Sequence, residues 1–197
     1  MMAGKIIFAL GRFIYYKGFE YLIEAAKYLP DDFVILIGGA GPMKEAYVSL
    51  IKQYNLYNKI YLLSDINQND LGNYYKACDV FCLPSTQKTE AFGLVLVEAM
   101  VFGKPLLSTN IPGSGTSWVN VNNVTGINVE PKNGKALAEA ILTIMDESNY
   151  KAFSINSRKR YEEKFTNTKF INKLKQYYMQ LIEPATAMIK QLNRKVI

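Results

Sequence analysis

Histidine is absent from this chain of 197 residues, and cysteine occurs only twice. The missing histidine excludes Ser-His-Asp and Cys-His catalysis and the usual histidine-containing zinc sites. The two cysteines, Cys78 and Cys82, lie in the apolar run KACDVFCLP. With no second cysteine pair, we expect buried structural thiols rather than a metal or redox site.

Long apolar runs are also absent. No stretch approaches the roughly 20 consecutive apolar residues that a membrane span requires. The opening MMAGKIIFALGR is too short and too soon interrupted for a signal peptide, so we expect a cytoplasmic protein. Since 49% of the residues are hydrophobic, the chain can bury one large core.

The net charge of +6 indicates an anionic partner, which charge alone does not identify. A nucleotide and a phospholipid surface both fit, and peripheral contact with the inner face of a membrane stays open. We do not expect a nucleic acid, because no aromatic-basic interleaving or known module occurs. Much of the excess lies in the last third, where it mixes with acids and is typical of a solvated helical face.

Short β-branched or aromatic runs alternate along the chain with longer segments of helical period. This alternation predicts parallel strands joined by crossover helices, in a Rossmann-like, doubly wound α/β sheet of about six strands. The predicted strands are 5–10, 33–37, 59–63, 79–83, 105–108 and 126–129. The predicted helices are one from Phe19 that Pro30 closes, then 43–54, 69–77 and 93–102, with helix again from Lys135 onward.

Ligands of such sheets bind beside the loops that follow the strands. In the first of these loops, GRFIYYKG, Arg12 and Lys17 flank a turn that opens a helix. Two cations beside a helix N-terminus suit a diphosphate that is bound without a metal ion. Alone, however, the pattern also fits two solvated cations.

The segment EAFGLVLVE places Glu90 in the loop after the fourth strand and Glu98 inside the next helix. On a continuous helix they would lie about 12 Å apart. That distance exceeds the roughly 10 Å of a glycosidase acid/base pair but suits two ends of one elongated ligand. We expect residues 92–94 to form the first helical turn, whose free amides bind anions. The alternative is two ordinary surface acids, although Glu98 lies in an apolar segment and requires a partner.

Six segments, in order, make the chain resemble the family 4 retaining glycosyltransferases, which have the two-domain GT-B architecture. They are GRFIYYKGFEYLIEAA, IGGAGPM, ACDVFCLPS, EAFGLVLVEAM, GKPLLSTN and GSGTSWVNVNNVTGINVEP. The resemblance covers nearly all of residues 6–165. It implies that 1–165 form the nucleotide-sugar-binding domain, the C-terminal half of a GT-B enzyme, and that 166–197 form a helical extension.

The resemblance also assigns roles to residues. Arg12 and Lys17 would contact the donor diphosphate, Glu98 the ribose hydroxyls, and Glu90 the transferred sugar. Arg12, Lys17 and Glu90 are thus the candidate catalytic residues. One departure is Tyr16, where the family often has an acid. The candidate donor-binding residues are Gly11, Arg12, Lys17, Gly38, Gly39, Gly41, Ser64, Asp65, Ile66, Glu90, Ala91, Phe92, Gly93, Leu94 and Glu98, with the base near Ser64 to Ile66.

Glycosyl transfer builds negative charge on the departing diphosphate, which the cations and helix amides would stabilise. Because no Asp-x-Asp pair occurs, we expect no metal and no other cofactor, with a UDP-, GDP- or ADP-sugar as co-substrate. The resemblance implies retaining transfer of a hexose to a glycan or lipid-linked acceptor, as in polysaccharide biosynthesis.

GT-B enzymes bind the acceptor through a domain that precedes the donor domain. This chain begins almost at the first donor-domain strand, so we expect an N-terminal partner domain that this chain lacks, and no activity without it. Residues 166–197 would pack on the sheet or cross toward that domain. The alternative is a non-catalytic nucleotide-sugar-binding subunit. A dinucleotide-binding oxidoreductase is disfavoured, because GGAGP follows the second strand and lacks the G-x-G-x-x-G spacing.

Overall fold

A computed structural model describes residues 4–64 and 66–193. In this part of the chain six parallel strands form one sheet, in the order β3-β2-β1-β4-β5-β6. The strands are β1 (Lys5–Leu10), β2 (Phe33–Gly38), β3 (Ile60–Leu63), β4 (Val80–Leu83), β5 (Leu106–Thr109) and β6 (Gly126–Val129). Every predicted strand forms, with each boundary within one residue of its prediction, and the predicted fold class is confirmed.

Helices connect the strands and continue after the last one. They are α1 (Phe19–Ala25), α2 (Lys44–Gln53), α3 (Leu71–Ala77), α4 (Leu94–Val101), α5 (Thr116–Val119), α6 (Gly134–Ile144), α7 (Glu147–Lys164) and α8 (Asn167–Asn193). Two short 3₁₀ turns, Tyr15–Lys17 and Ala26–Tyr28, flank α1. The single turn of α5 was not predicted, because four residues are too few to show a helical period.

The core has two layers because strand side chains alternate between the faces of the sheet. Ile7 and Ala9 of β1 point to one face, where they join a buried cluster with Phe19 and Leu22 of α1. Phe8, between them, points to the opposite face and packs edge-on against the ring of Tyr75 in α3. Both faces are therefore covered, as a parallel sheet requires.

The strand order reverses at β1, which pairs with β2 on one side and with β4 on the other. In a doubly wound sheet, the connections that follow the two strands at this switch point leave toward opposite faces and open a crevice between them. The loops after β1 and β4 border this crevice. They carry the candidate residues Lys17 and Glu90.

The two cysteines are buried and form no disulfide. Burial raises the pKa of both thiols, that of Cys78 to about 12. A thiol that resists ionisation is a poor nucleophile and a poor metal ligand. The prediction that both thiols are buried is therefore confirmed.

The chain divides into two compact units, with the boundary between Arg160 and Tyr161 in α7. The second unit contains α8, whose side chains Phe170, Leu174 and Tyr177 are exposed. Among the described residues, no helix combines the length and apolar character that crossing a bilayer requires. The expected packing or crossing of residues 166–197 stays a prediction.

Candidate functional site

Lys17 and Glu90 form a buried ion pair at the crevice. Lys17 ends the 3₁₀ turn after β1, and its Nζ donates to Glu90 Oε2 over 2.6 Å. About a tenth of each side chain is exposed, 11% for Lys17 and 10% for Glu90. Gly11 lies against the lysine stem, because a Cβ built on Gly11 would be 3.0 Å from Lys17 Cε. The structure thus brings Gly11, Lys17 and Glu90 together.

A second donor, which sequence reasoning missed, reaches the same carboxylate oxygen. Ser85, fully buried just after β4, donates its hydroxyl to Glu90 Oε2 over 2.7 Å. The Thr109 hydroxyl at the end of β5 donates in turn to the Ser85 carbonyl. Since both donors to the carboxylate converge on Oε2, neither occupies Oε1. The only sequence signal for Ser85 is its place directly after a buried strand.

Three loops are joined around this pair. The Ser114 hydroxyl, in the loop after β5, donates to the Glu90 carbonyl, and the Gly115 amide donates to the Ala91 carbonyl over 2.8 Å. The Thr86 amide, in the loop after β4, donates to the Tyr16 carbonyl over 2.8 Å. The main chain on either side of Glu90 is therefore fixed by its neighbours.

The candidate glycines at the end of β2 and just after it bring this segment against the loop after β1. A Cβ on Gly39 would lie 1.9 Å from the Gly11 carbonyl oxygen, and one on Gly41 would lie 2.6 Å from the Phe13 carbonyl oxygen. A Cβ on Gly38 would meet the side chain of Ile66 at 2.6 Å. In all three close approaches the neighbouring atom belongs to this chain and not to a ligand. Contact of the three glycines with a ligand stays a prediction.

Helix α4 begins one or two residues later than expected. Gly93 is its N-cap, in a left-handed conformation with φ of 77°, and Leu94 is the first helical residue. The expectation that Phe92 lies in the first turn is therefore wrong, because the left-handed Gly93 separates it from the helix. The amides of Leu94 and Val95 have no intrahelical acceptor because they lie in the first turn. Since no side chain caps α4 either, these amides can bind an anion.

Glu98 lies on α4 with an exposed side chain, and its partner is the buried Tyr75 of α3. The Tyr75 hydroxyl donates to Glu98 Oε2 over 2.6 Å, although Tyr75 is only 2% exposed. Burial, and then the hydrogen bond to Glu98, raise the pKa of Tyr75 well above its ordinary value. The expected partner for Glu98 thus exists. The phenol was missed because nothing in the sequence distinguishes it from a core aromatic.

The remaining candidate residues lie on the same edge of the sheet. Arg12 is exposed and lies between Gly11 and Phe13, whose amide donates to the Ala40 carbonyl over 2.8 Å. Ser64 follows β3 and lines a cavity of about 380 Å³ beside Leu63. Asp65 lies outside the described residues.

No group of three acidic or cysteine side chains among the described residues could hold a metal ion. The donor set at the crevice is instead an ammonium, hydroxyls and main-chain amides. Such donors bind anions through charge-assisted hydrogen bonds. Independence from metals and other cofactors stays a prediction.

The fold and this edge define the class: a doubly wound α/β protein whose ligand crevice lies at the carboxyl ends of the strands. The sequence model of the family described as "Glycosyl transferases group 1" matches residues 2–164. The chain belongs to this family.

Relatives and solved structures agree with this assignment. The chain is 34% identical over 177 residues to O-antigen chain mannosyltransferase C of Escherichia coli, covering 88% of this chain and 46% of that protein. It is similar to the structure of a glycosyltransferase from Rickettsia africae, with a TM-score of 0.80 and 27% identity, covering 91% of this chain and 48% of that one. It shares its fold with Anabaena Alr3699/HepE in complex with UDP-glucose, at a TM-score of 0.76, 23% identity, 88% of this chain and 49% of that chain. The matched part of the chain therefore spans about half the length of each of these three proteins.

Proposed function

We propose that this chain is the donor-binding part of a retaining, metal-independent glycosyltransferase that takes a nucleoside-diphosphate hexose. The pairing of Lys17 with Glu90 at the switch point of the sheet carries the proposal. The lysine supplies positive charge for a diphosphate, and the carboxylate supplies acceptors for sugar hydroxyls. The UDP-glucose bound by the Anabaena protein and the mannosyl transfer named for the Escherichia coli relative support this choice.

Lys17 can serve both groups because an ammonium has three donors. One donor is bound to Glu90 Oε2, which leaves two for phosphate oxygens. Exposed Arg12 and the first-turn amides of α4 would add further donors from two sides of the crevice. When the anomeric bond breaks, these fixed positive groups stabilise the charge that develops on the diphosphate. Glu90 would meanwhile hold the sugar, and Glu98 the ribose.

The acceptor in this proposal is a glycan or a lipid-linked glycan, bound by a further domain or partner. A cytoplasmic location, with or without contact to a membrane, stays a prediction. The alternative is a non-catalytic binding subunit, which would bind the donor but would not transfer its sugar. Incubating the chain with donor and candidate acceptors, alone and with an acceptor-binding partner, separates the two.

Arg12→Ala is expected to weaken binding of the preferred nucleoside diphosphate by about 1.5 to 3 kcal/mol, the worth of a hydrogen bond to a charged group. Isothermal titration calorimetry with UDP, GDP and ADP first identifies the preferred nucleotide and then measures the variant. Lys52→Ala is the matched control, because it removes an exposed cation from the far end of α2. Equal losses in both variants would show that only net charge matters.

The same titrations are repeated with EDTA in place of magnesium. The proposal expects unchanged affinity, because protein cations and amides neutralise the diphosphate. If affinity requires magnesium, metal-independent binding is wrong. If none of the three nucleotides binds, the donor site itself is wrong.

A further inference from the structure

Each of the two carboxylates, Glu90 and Glu98, accepts a hydrogen bond from a hydroxyl group on a buried residue. Ser85 is fully buried and Tyr75 is 2% exposed, and each donates to one carboxylate oxygen over 2.7 Å and 2.6 Å respectively. Solvent therefore barely reaches either donor residue. Both are therefore placed to orient a carboxylate rather than to touch a ligand.

We propose that Tyr75 is a positioning residue that fixes Glu98 for the ribose, and that Ser85 is one that fixes Glu90 for the transferred sugar. The proposal rests on the donor site proposed above and identifies what sets its geometry. The two halves rest on separate hydrogen bonds, on α3 and after β4, so either can fail alone.

Tyr75 can fix Glu98 because three aromatic rings pack against its own ring. The ring packs edge-on against Phe8, at a tilt against Phe81, and flat against Phe102, with centroid separations between 5.3 and 5.9 Å. An exposed glutamate on a helix otherwise samples several rotamers, and ordering it on binding costs free energy. The phenol restricts the carboxylate before the ligand arrives and leaves its other oxygen, Oε1, for the diol.

Ser85 matters because Lys17 has two tasks. When two of the three ammonium donors bind phosphate oxygens, the attraction between Lys17 and Glu90 weakens, and a buried carboxylate that is short of donors is costly. The Ser85 hydrogen bond to Oε2 involves no atom of Lys17, and the Ser85 carbonyl accepts a hydrogen bond from Thr109. Glu90 therefore keeps one orientation in the free and the bound protein.

The test of Tyr75 measures discrimination between a ribonucleotide and its 2′-deoxy analogue, using the preferred nucleoside diphosphate. Tyr75→Phe keeps the ring and its packing, and it is expected to lower the ribo-over-deoxy preference about five-fold. Tyr74→Phe is the matched control, because the Tyr74 ring also contacts Phe8 but no hydrogen bond joins the Tyr74 hydroxyl to Glu98 among the described residues. A merely structural loss would weaken both nucleotides equally and leave the ratio unchanged.

Glu98→Ala distinguishes failure of the inference from failure of the proposed ribose site. If Glu98→Ala abolishes the preference and Tyr75→Phe preserves it, Tyr75 does not position Glu98. If Glu98→Ala also preserves the preference, Glu98 does not bind ribose, and both statements fall. If the parent chain binds no nucleotide, the donor site and this inference fall together.

The test of Ser85 measures how much the sugar adds to affinity, as the ratio of dissociation constants of the nucleoside diphosphate and its hexose conjugates. Glucose and mannose conjugates of the preferred nucleotide are the probes. Ser85→Ala is expected to reduce the best ratio about five-fold, with little change for the nucleoside diphosphate itself.

Ser157→Ala is the control for Ser85→Ala, because the buried Ser157 hydroxyl has no hydrogen-bond partner among the described residues. An unchanged ratio in Ser85→Ala, with the ratio lost in Glu90→Gln, overturns the role of Ser85. An unchanged ratio in both variants shows that Glu90 does not hold the sugar.

Discussion

Replacing Lys17 by methionine is expected to lower the free energy of unfolding by about 3 to 5 kcal/mol, because it leaves a buried carboxylate without its counter-charge. The pair is about nine-tenths buried, so solvent does not screen the loss. Binding of a nucleoside diphosphate should weaken at least tenfold in the same variant, since the proposed phosphate donor is gone. Urea unfolding followed by fluorescence measures the first effect, and calorimetry on the folded variant measures the second.

The double variant Lys17→Met/Glu90→Gln separates pairing from packing. It should recover much of the lost stability, because a neutral amide is less costly to bury than an unpaired carboxylate, but none of the nucleotide affinity. Lys5→Met breaks a surface ion pair, in which the side chain of Lys5 is 42% exposed and that of Asp32 is 49% exposed. That control should cost less than about 1 kcal/mol. Equal costs for Lys5→Met and Lys17→Met would contradict the importance of burial.

Gly39→Ala is expected to cost about 2 to 6 kcal/mol of stability and to displace the loop after β1. The φ of Gly39 is 144°, which a residue with a Cβ adopts only under strain, worth about 1 to 3 kcal/mol. The added methyl group would also lie 1.9 Å from the Gly11 carbonyl oxygen, and such overpacking typically costs a further 1 to 3 kcal/mol or so. Thermal unfolding measures the sum.

Gly113→Ala is the matched control for this prediction. Gly113 also has a positive φ, 79°, but a Cβ there would meet nothing within 4 Å. Gly113→Ala should therefore lose the stability that backbone strain costs but not the stability that steric overlap costs, and it should leave nucleotide affinity unchanged. If the two variants lose equal stability, the close approach of the loops after β1 and β2 contributes nothing.

The fold was predictable because its signals are local. Each strand is a short apolar run between turn residues, and the alternation of strands with helical segments predicts the doubly wound order. The break between α6 and α7 was not predicted, since a helical period continues through residues 145–146 and no proline or glycine marks the stop.

The site was predictable as a set of residues but not as a set of contacts. Arg12, Lys17 and Glu90 were all candidates, yet nothing in the sequence joins Lys17 to Glu90, which lies 73 residues further along. Ser85 and Tyr75 were missed for a related reason. A hydroxyl that orients another side chain is recognised only when the distance between their atoms is known.

The carbonyls of Glu90 and Ala91 both accept hydrogen bonds from residues 114–115. The loop after β5 therefore acts as a template for the main chain that carries Glu90. Grafting a glutamate loop from a related enzyme into this scaffold, to change which sugar it accepts, would misplace the carboxylate unless residues 114–115 were transplanted with it.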